Sequence, residues 1–159
     1  MSLSVLCVGK LRETYFADAV SEYQKRLSRL TPVTMVELPD EREPATLSPA
    51  LMEQTMRREG ERMLARIPQQ AYVIALCIQA KQPTSEQLAQ KLSDLFLHGH
   101  SDVWFVIGGS LGLHECVLQR ANERMSMSSL TFPHQLARVV LMEQLYRAAK
   151  INAGERYHK

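Results

Sequence analysis

Two uninterrupted apolar runs, residues 71–78 and 103–107, constrain this chain more than any other feature. A half-solvated strand alternates apolar and polar side chains. A run that is apolar at every position is covered on both faces, as in a parallel sheet with helices on either side. Residues 3–8 form a short apolar run stopped by Gly9, and Val33 to Leu38 reads as a second strand that ends at Pro39. Helical spacing links Tyr15, Ala19, Val20, Tyr23 and Leu27. A polar helix is predicted over 50–66, with Leu51, Met52, Met56, Met63 and Leu64 as its apolar residues. Thr84-Ser85-Glu86-Gln87 opens a further helix with an N-cap, continued by Leu88, Leu92, Leu95 and Phe96. Residues 39–49 hold three prolines and several charges and read as a loop, and 117–121 as a short helical piece. Strands and helices therefore alternate. The expectation is a three-layer α/β/α domain with a mostly parallel sheet, residues 1–159 forming one domain around one core.

The last helix, about 133–152, is unusual. Leu136, Val139, Val140, Leu141, Met142, Leu145, Tyr146, Ala148, Ala149 and Ile151 cover most of its circumference. A helix that is apolar all round is buried on more than one side. The sheet of a chain this short covers one side, so the expectation is a homodimer with this helix at the interface. Glu143, Arg147 and Lys150 share one stripe, and Glu143 and Arg147 can pair on the helix. In apolar surroundings such charges need partners or a task.

The 19 basic and 17 acidic residues leave a net charge of +2. A protein that coats nucleic acid by charge alone is excluded, so an RNA partner would have to be met by a local basic patch. Cys7, Cys77 and Cys116 are odd in number and lack metal-ligand spacing, which suits small buried apolar groups in a reducing compartment. His98 and His100 have no third ligand nearby, so no metal is expected. The N-terminus has no basic-then-apolar signal pattern, and no apolar run reaches the roughly 18 residues that would span a membrane; a cytoplasmic protein without membrane contact is expected.

Ile107-Gly108-Gly109-Ser110-Leu111-Gly112-Leu113 follows one of the apolar strands. Its glycine spacing is not that of a dinucleotide fingerprint, and no Lys-Ser/Thr pair follows to make a phosphate loop. A turn at the carboxyl end of a parallel strand is nevertheless where open α/β sheets bind ligands.

Taken with three further stretches, this turn carries a resemblance. Thr131-Phe132-Pro133-His134-Gln135-Leu136-Ala137-Arg138, Glu143-Gln144-Leu145-Tyr146-Arg147-Ala148 and the terminal Gly154-Glu155-Arg156-Tyr157-His158-Lys159 closely resemble the C-terminal signature of the RlmH-type ribosomal RNA methyltransferases, of the knotted SPOUT superfamily. The N-terminal Val8-Gly9-Lys10-Leu11 extends the likeness over almost the whole chain. The resemblance implies a C-terminal trefoil knot and a Ser-rich strand before the last helix. It implies S-adenosylmethionine held at Leu76, Gly108, Gly109, Met127, Ser128, Ser129, Leu130, Thr131 and Phe132, largely by backbone groups; as ordinary side chains Leu76, Met127 and Leu130 read as core. The implied reaction is methylation of N3 of a pseudouridine of 23S ribosomal RNA (position 1915) on the assembled 70S ribosome. Arg138 or Arg147 would then hydrogen-bond a carbonyl or phosphate oxygen. His158 or Glu143 would accept the proton, and Tyr157 would stack on or hydrogen-bond the base. His134, Lys150 and Lys159 would contact RNA, with the terminal tail reaching a partner subunit's pocket. Without the resemblance, His134 reads as a packed first-turn residue and the tail as loose. One departure is Ala80-Lys81, where family members often carry glycine before the lysine. Competing readings are a SPOUT methyltransferase acting on tRNA and a cofactor-binding, ribosome-associated protein without catalysis.

Overall fold

The structure is a computed structural model that describes residues 1–42, 45, 46 and 48–159. Ten elements follow one another: β1 (Ser2–Val8), α1 (Thr14–Leu27), β2 (Val33–Leu38), α2 (Pro49–Arg66), β3 (Tyr72–Lys81), α3 (Ser85–Leu97), β4 (Asp102–Ile107), α4 (Glu115–Arg120), β5 (Glu123–Met125) and α5 (His134–Asn152). Within the loop expected over 39–49, Glu43, Pro44 and Leu47 lie outside the described residues.

The strands form one five-stranded sheet in the order β2-β1-β4-β3-β5, with every pairing parallel. Alternation sorts the side chains. Leu3, Val5 and Cys7 of β1 and Val103, Phe105 and Ile107 of β4 face one layer, built by α1, α3 and α5. Leu6 and Val8, with Trp104 and Val106, face the other, built by α2 and α4. Both faces are covered, which is why apolar side chains run consecutively along these strands, with Ser4 a buried exception in β1.

Helix ends follow local chemistry. Ser48 accepts a hydrogen bond from the Leu51 amide and Pro49 occupies the first turn of α2. Thr84 and Gln87 form a reciprocal capping box at α3.

Four expectations are corrected. The strand expected over 71–78 runs on to Lys81, and Leu76 and Lys81 both pair with Met125 across a break in register, so residues 77–80 arch out of the ladder. The Ser-rich stretch is not a strand: β5 ends at Met125, and 126–133 carry no regular structure. The buried residues of α2 are Thr55, Glu59, Gly60 and Met63, while Leu51 faces solvent. Finally, α5 is covered within its own chain by more than the sheet, because α1 and α3 flank it. Tyr23 of α1 lies 6.1 Å from the Tyr146 ring, and Asn152 donates to the Ala89 carbonyl of α3 at 2.9 Å. Leu136, Val139 and Val140 stay half-buried, with Val139 packed against the core.

Candidate functional site

Three segments meet at the carboxyl edge of the sheet: the end of β3, the turn after β4, and residues 126–134 leading into α5. Together they enclose a cleft of about 430 Å³. The turn is shaped by glycine. The Gly112 amide donates to the Gly109 carbonyl at 3.0 Å, and Gly112 has a φ of +88°. A Cβ on Gly108 would lie 2.7 Å from the Gly112 carbonyl carbon, so backbone passes against backbone there. A Cβ on Gly109 would lie 3.1 Å from a Glu59 carboxylate oxygen. Glu59 reaches in from α2, and burial first of all pushes its carboxyl above the ordinary range, opposed by a hydrogen bond with the Glu41 backbone and helped by the charge of Asp40.

The opposite wall is held by serines. The Ser126 amide donates to the Lys81 carbonyl at 2.9 Å, the Ser126 hydroxyl to the Ser128 carbonyl at 3.0 Å, and Ser128 Oγ accepts from the Leu130 amide at 3.0 Å. These bonds satisfy a segment that has no ladder of its own. Leu76, Gly108, Gly109, Met127, Ser128, Leu130, Thr131 and Phe132 all line the cleft. Ser129 does not; it is exposed beside them. His134 also lines it, and its imidazole is held below the ordinary value by burial, then by Arg138, with Asp40 opposing. Sequence reasoning missed Cys77, Ile78, Ser126 and Ala137, and the middle of the glycine turn from Ser110 to Leu113. The last group was legible in principle, because a turn closed by Gly109 and Gly112 presents whatever lies between them. Ala80 is not among the lining residues.

The residues expected to be catalytic separate into two places. Arg138 is fully buried. It donates to Glu37 at 3.1 Å and to the Val8 carbonyl, and Glu37 also accepts the Leu11 amide at 3.2 Å. As placed, Arg138 ties the ends of β1 and β2 together and does not reach out to an RNA oxygen, which corrects the expected direct contact.

Glu143, Arg147, Tyr157 and His158 do gather. Arg147 donates to Glu143 at 2.5 Å, Tyr157 donates to the same oxygen at 3.1 Å, and the Arg147 guanidinium lies 4.7 Å from the Tyr157 ring centre. His158 Nδ1 is 3.4 Å from Arg147, and its Nε2 is 2.7 Å from Glu86. Gln144 donates to Glu143 at 2.7 Å and accepts from Ser85 at 2.6 Å. The tail is therefore docked, tied to the first turn of α3 through Ser85 and Glu86. Glu86 is held down to about 2, first by its own backbone amide and then by His158. Burial, then Glu143, pushes the Tyr157 phenol up to about 12, so it stays protonated and donates. None of these four residues lines the cleft. A second hollow of about 370 Å³, bounded by Ser85, Val140 and Gln144, lies between them, and Met127, Ser128 and Phe132 form the wall shared with the cleft. Lys150 pairs with Glu155, and Lys159 is exposed.

Chemically, the cleft offers backbone amides and carbonyls, apolar walls and one imidazole. Its volume and glycine cradle suit a nucleoside-sized ligand approached by backbone. Among the described residues, no group of three His, Cys, Asp or Glu side chains is placed to hold a metal, and no helix is long and apolar enough to cross a membrane.

Comparison with known proteins bears on the whole chain. Residues 1–158 match the family model described as "Predicted SPOUT methyltransferase". A ribosomal RNA large subunit methyltransferase H of Lactobacillus delbrueckii subsp. bulgaricus is 53% identical over 159 residues, covering 100% of both chains. The protein of that name from Listeria monocytogenes is 54% identical over the same span, again with 100% of each chain covered. Among solved structures, a protein assigned to a methylase family from Haemophilus influenzae superposes with a TM-score of 0.54 at 9% identity, covering 99% of this chain and 70% of that one. A candidate methyltransferase of Legionella pneumophila, solved with the cofactor SAM bound, gives 0.50 at 12% identity, covering 94% and 66%. At these identities the superpositions speak for the fold.

Proposed function

The chain belongs to the SPOUT methyltransferase family, and from that premise we propose that it uses S-adenosylmethionine to methylate N3 of a pseudouridine in 23S ribosomal RNA. The observation that carries the reading is the cleft. Two segments distant in sequence, the glycine turn and residues 126–132, close on one cavity in a chain more than half identical to large-subunit rRNA methyltransferases. A trefoil knot tied by the segment after β5 belongs to the same proposal; it is supported by the passage of 126–133 beside the glycine turn before α5 begins.

The residues fit the cofactor. Gly108 lets the turn close tightly on its own Gly112–Leu113 backbone at the edge of the cleft, Leu76, Met127 and Leu130 supply apolar contact, and the backbone of 127–132, apart from the Ser128 carbonyl and the Leu130 amide that are already bonded, would meet an adenine edge. When bound, the cofactor supplies a methyl group already activated on sulfonium. What remains for the chain is to place N3 in line and to take its proton, since N3 carries a proton at neutral pH. Glu143 accepts hydrogen bonds from Arg147 and Tyr157, and His158 lies between Arg147 and Glu86. Either side chain can receive the N3 proton, while Arg147 faces the oxygen on which negative charge develops.

These groups lie beyond the wall of their own cleft. The reading therefore includes a homodimer in which the half-buried Leu136 and Val140 of α5 meet a second copy, and the tail of one subunit serves the cleft of the other. The proposed substrate is the assembled ribosome. The test is methyl transfer from labelled S-adenosylmethionine to ribosomes that lack the modification, with isolated subunits and free rRNA alongside, and mass spectrometry of the nucleosides. Label on N3 of a large-subunit pseudouridine is the expected result. No label on any ribosomal species, with cofactor binding intact, would overturn the reading.

A further inference from the structure

Resting on that reading, we propose that the groove between the C-terminal halves of α1 and α5 docks RNA backbone phosphates at a distance from the methyl-transfer cleft. A net charge of +2 leaves no general attraction for RNA, so a local patch has to supply it. The groove, of about 550 Å³, gathers Lys25, Arg26 and Arg29 from the end of α1 and Lys150 from α5. Its two acids are already paired: Glu22 with Arg26 at 2.8 Å, and Glu155 with Lys150. Lys25 and Arg29 are exposed and form no ion pair among the described residues. Tyr146 lies along the groove, with the Arg26 guanidinium 5.9 Å and the Lys150 ammonium 5.7 Å from its ring centre, which holds two of the cations in place. Lys25 in the last turn of α1 and Arg29 just past its end both line the groove and can meet phosphates of one strand.

Helix C-termini attract cations for their own sake. That accounts for Lys25, Arg26 and Lys150, each in the last turn of its helix. Arg29 lies beyond the end of α1 and completes the concave wall. Lys150 is near the far end of α5 from His134 at the cleft, roughly 24 Å along the helix at about 1.5 Å per residue. A flexible RNA engages two such separated sites poorly, whereas a folded ribosomal surface presents both at once. The groove thus gives the enzyme a physical means of preferring assembled ribosomes.

The experiment is a salt series of ribosome binding and of steady-state methylation with Lys25→Gln/Arg29→Gln, with cofactor affinity and melting temperature measured on the same protein. The expected result is a KM for ribosomes raised about tenfold, with kcat and cofactor affinity retained. The slope of log binding constant against log salt should be shallower by roughly 1.5–2, as two lost phosphate contacts require. An unchanged KM and salt slope with a lowered melting temperature would overturn the proposal, leaving the cations to serve the helix ends alone. If the wild type methylated no ribosomal RNA, the functional reading would fall by itself. Ribosome binding in the same salt series would still decide for the groove if it responded to the two substitutions and against it if it did not.

Discussion

Gly108 has no room for a methyl group. Its Cβ would press on the Gly112 backbone at 2.7 Å, and backbone, unlike a flexible side chain, does not swing away. Gly108→Ala is expected to weaken S-adenosylmethionine binding at least about tenfold by calorimetry, through displacement of the turn; unaltered affinity would show that the turn is not part of the site. Arg138 makes a different argument. Its guanidinium is wholly buried, whereas the carboxylate of Glu37 keeps 37% of its exposure. Removing Glu37 strands a buried cation, while removing Arg138 leaves a carboxylate that water can reach. Glu37→Ala should therefore cost more, about 3–5 kcal/mol, than Arg138→Met, about 2–3 kcal/mol, in urea denaturation; the reverse order would refute this account. His134 carries a pH dependence. Burial and Arg138 hold it below its ordinary value of 6.5, so the folded state takes the proton less readily than the unfolded chain. Its contribution is complete above about 6.5 and shrinks as the pH falls toward the folded value. His134→Gln should flatten the decline in stability just below pH 6.5, and an undiminished decline would place the titrating group elsewhere.

Among the elements, the start of α3 does two jobs. Thr84 and Gln87 cap the helix, and Ser85 and Glu86 hold the tail cluster through Gln144 and His158. Thr84→Ala loses one capping bond, worth about 1 kcal/mol, or roughly 2–4 °C in melting temperature for a chain of this size. Because the same turn anchors Glu86, the substitution should also speed amide exchange in the last residues of the chain; exchange confined to α3 would mean that the tail is held independently. The strands and helices were legible because period 2 and period 3.6 are local properties of sequence. The end of β3 was not, because Cys77 to Ala80 leave the ladder only when β5 pairs with both Leu76 and Lys81.

For the whole molecule, the central question is how a tail on one side of the 126–132 wall serves a cleft on the other. The proposed homodimer answers it, and the expected species in sedimentation is about twice 18.1 kDa. Leu136→Glu with Val140→Glu places two charges on the half-buried stripe of α5. The pair should give monomers and slow methyl transfer at least about tenfold through loss of the composite site. A fully active monomer would show that one chain completes its own site.

By itself the sequence determined the layer architecture and the parallel sheet, because continuous apolar runs, capping residues and glycine turns are rules about neighbours along the chain; the segments expected to meet the cofactor came from the family resemblance instead, since as local sequence Leu76, Met127 and Leu130 read as core. The tertiary structure decided which charged residues were free to act. Helical spacing puts Glu143 and Arg147 on one stripe but is silent on Tyr157 and Glu86 arriving opposite them. It gives no sign that Glu37 and the Val8 carbonyl would enclose Arg138, or that Glu59 would lie beneath Gly109. A side chain's charge is written in the sequence; its solvent and its partners are set by elements that fold against it from far away, and those decide whether the charge stabilises the fold or meets a substrate.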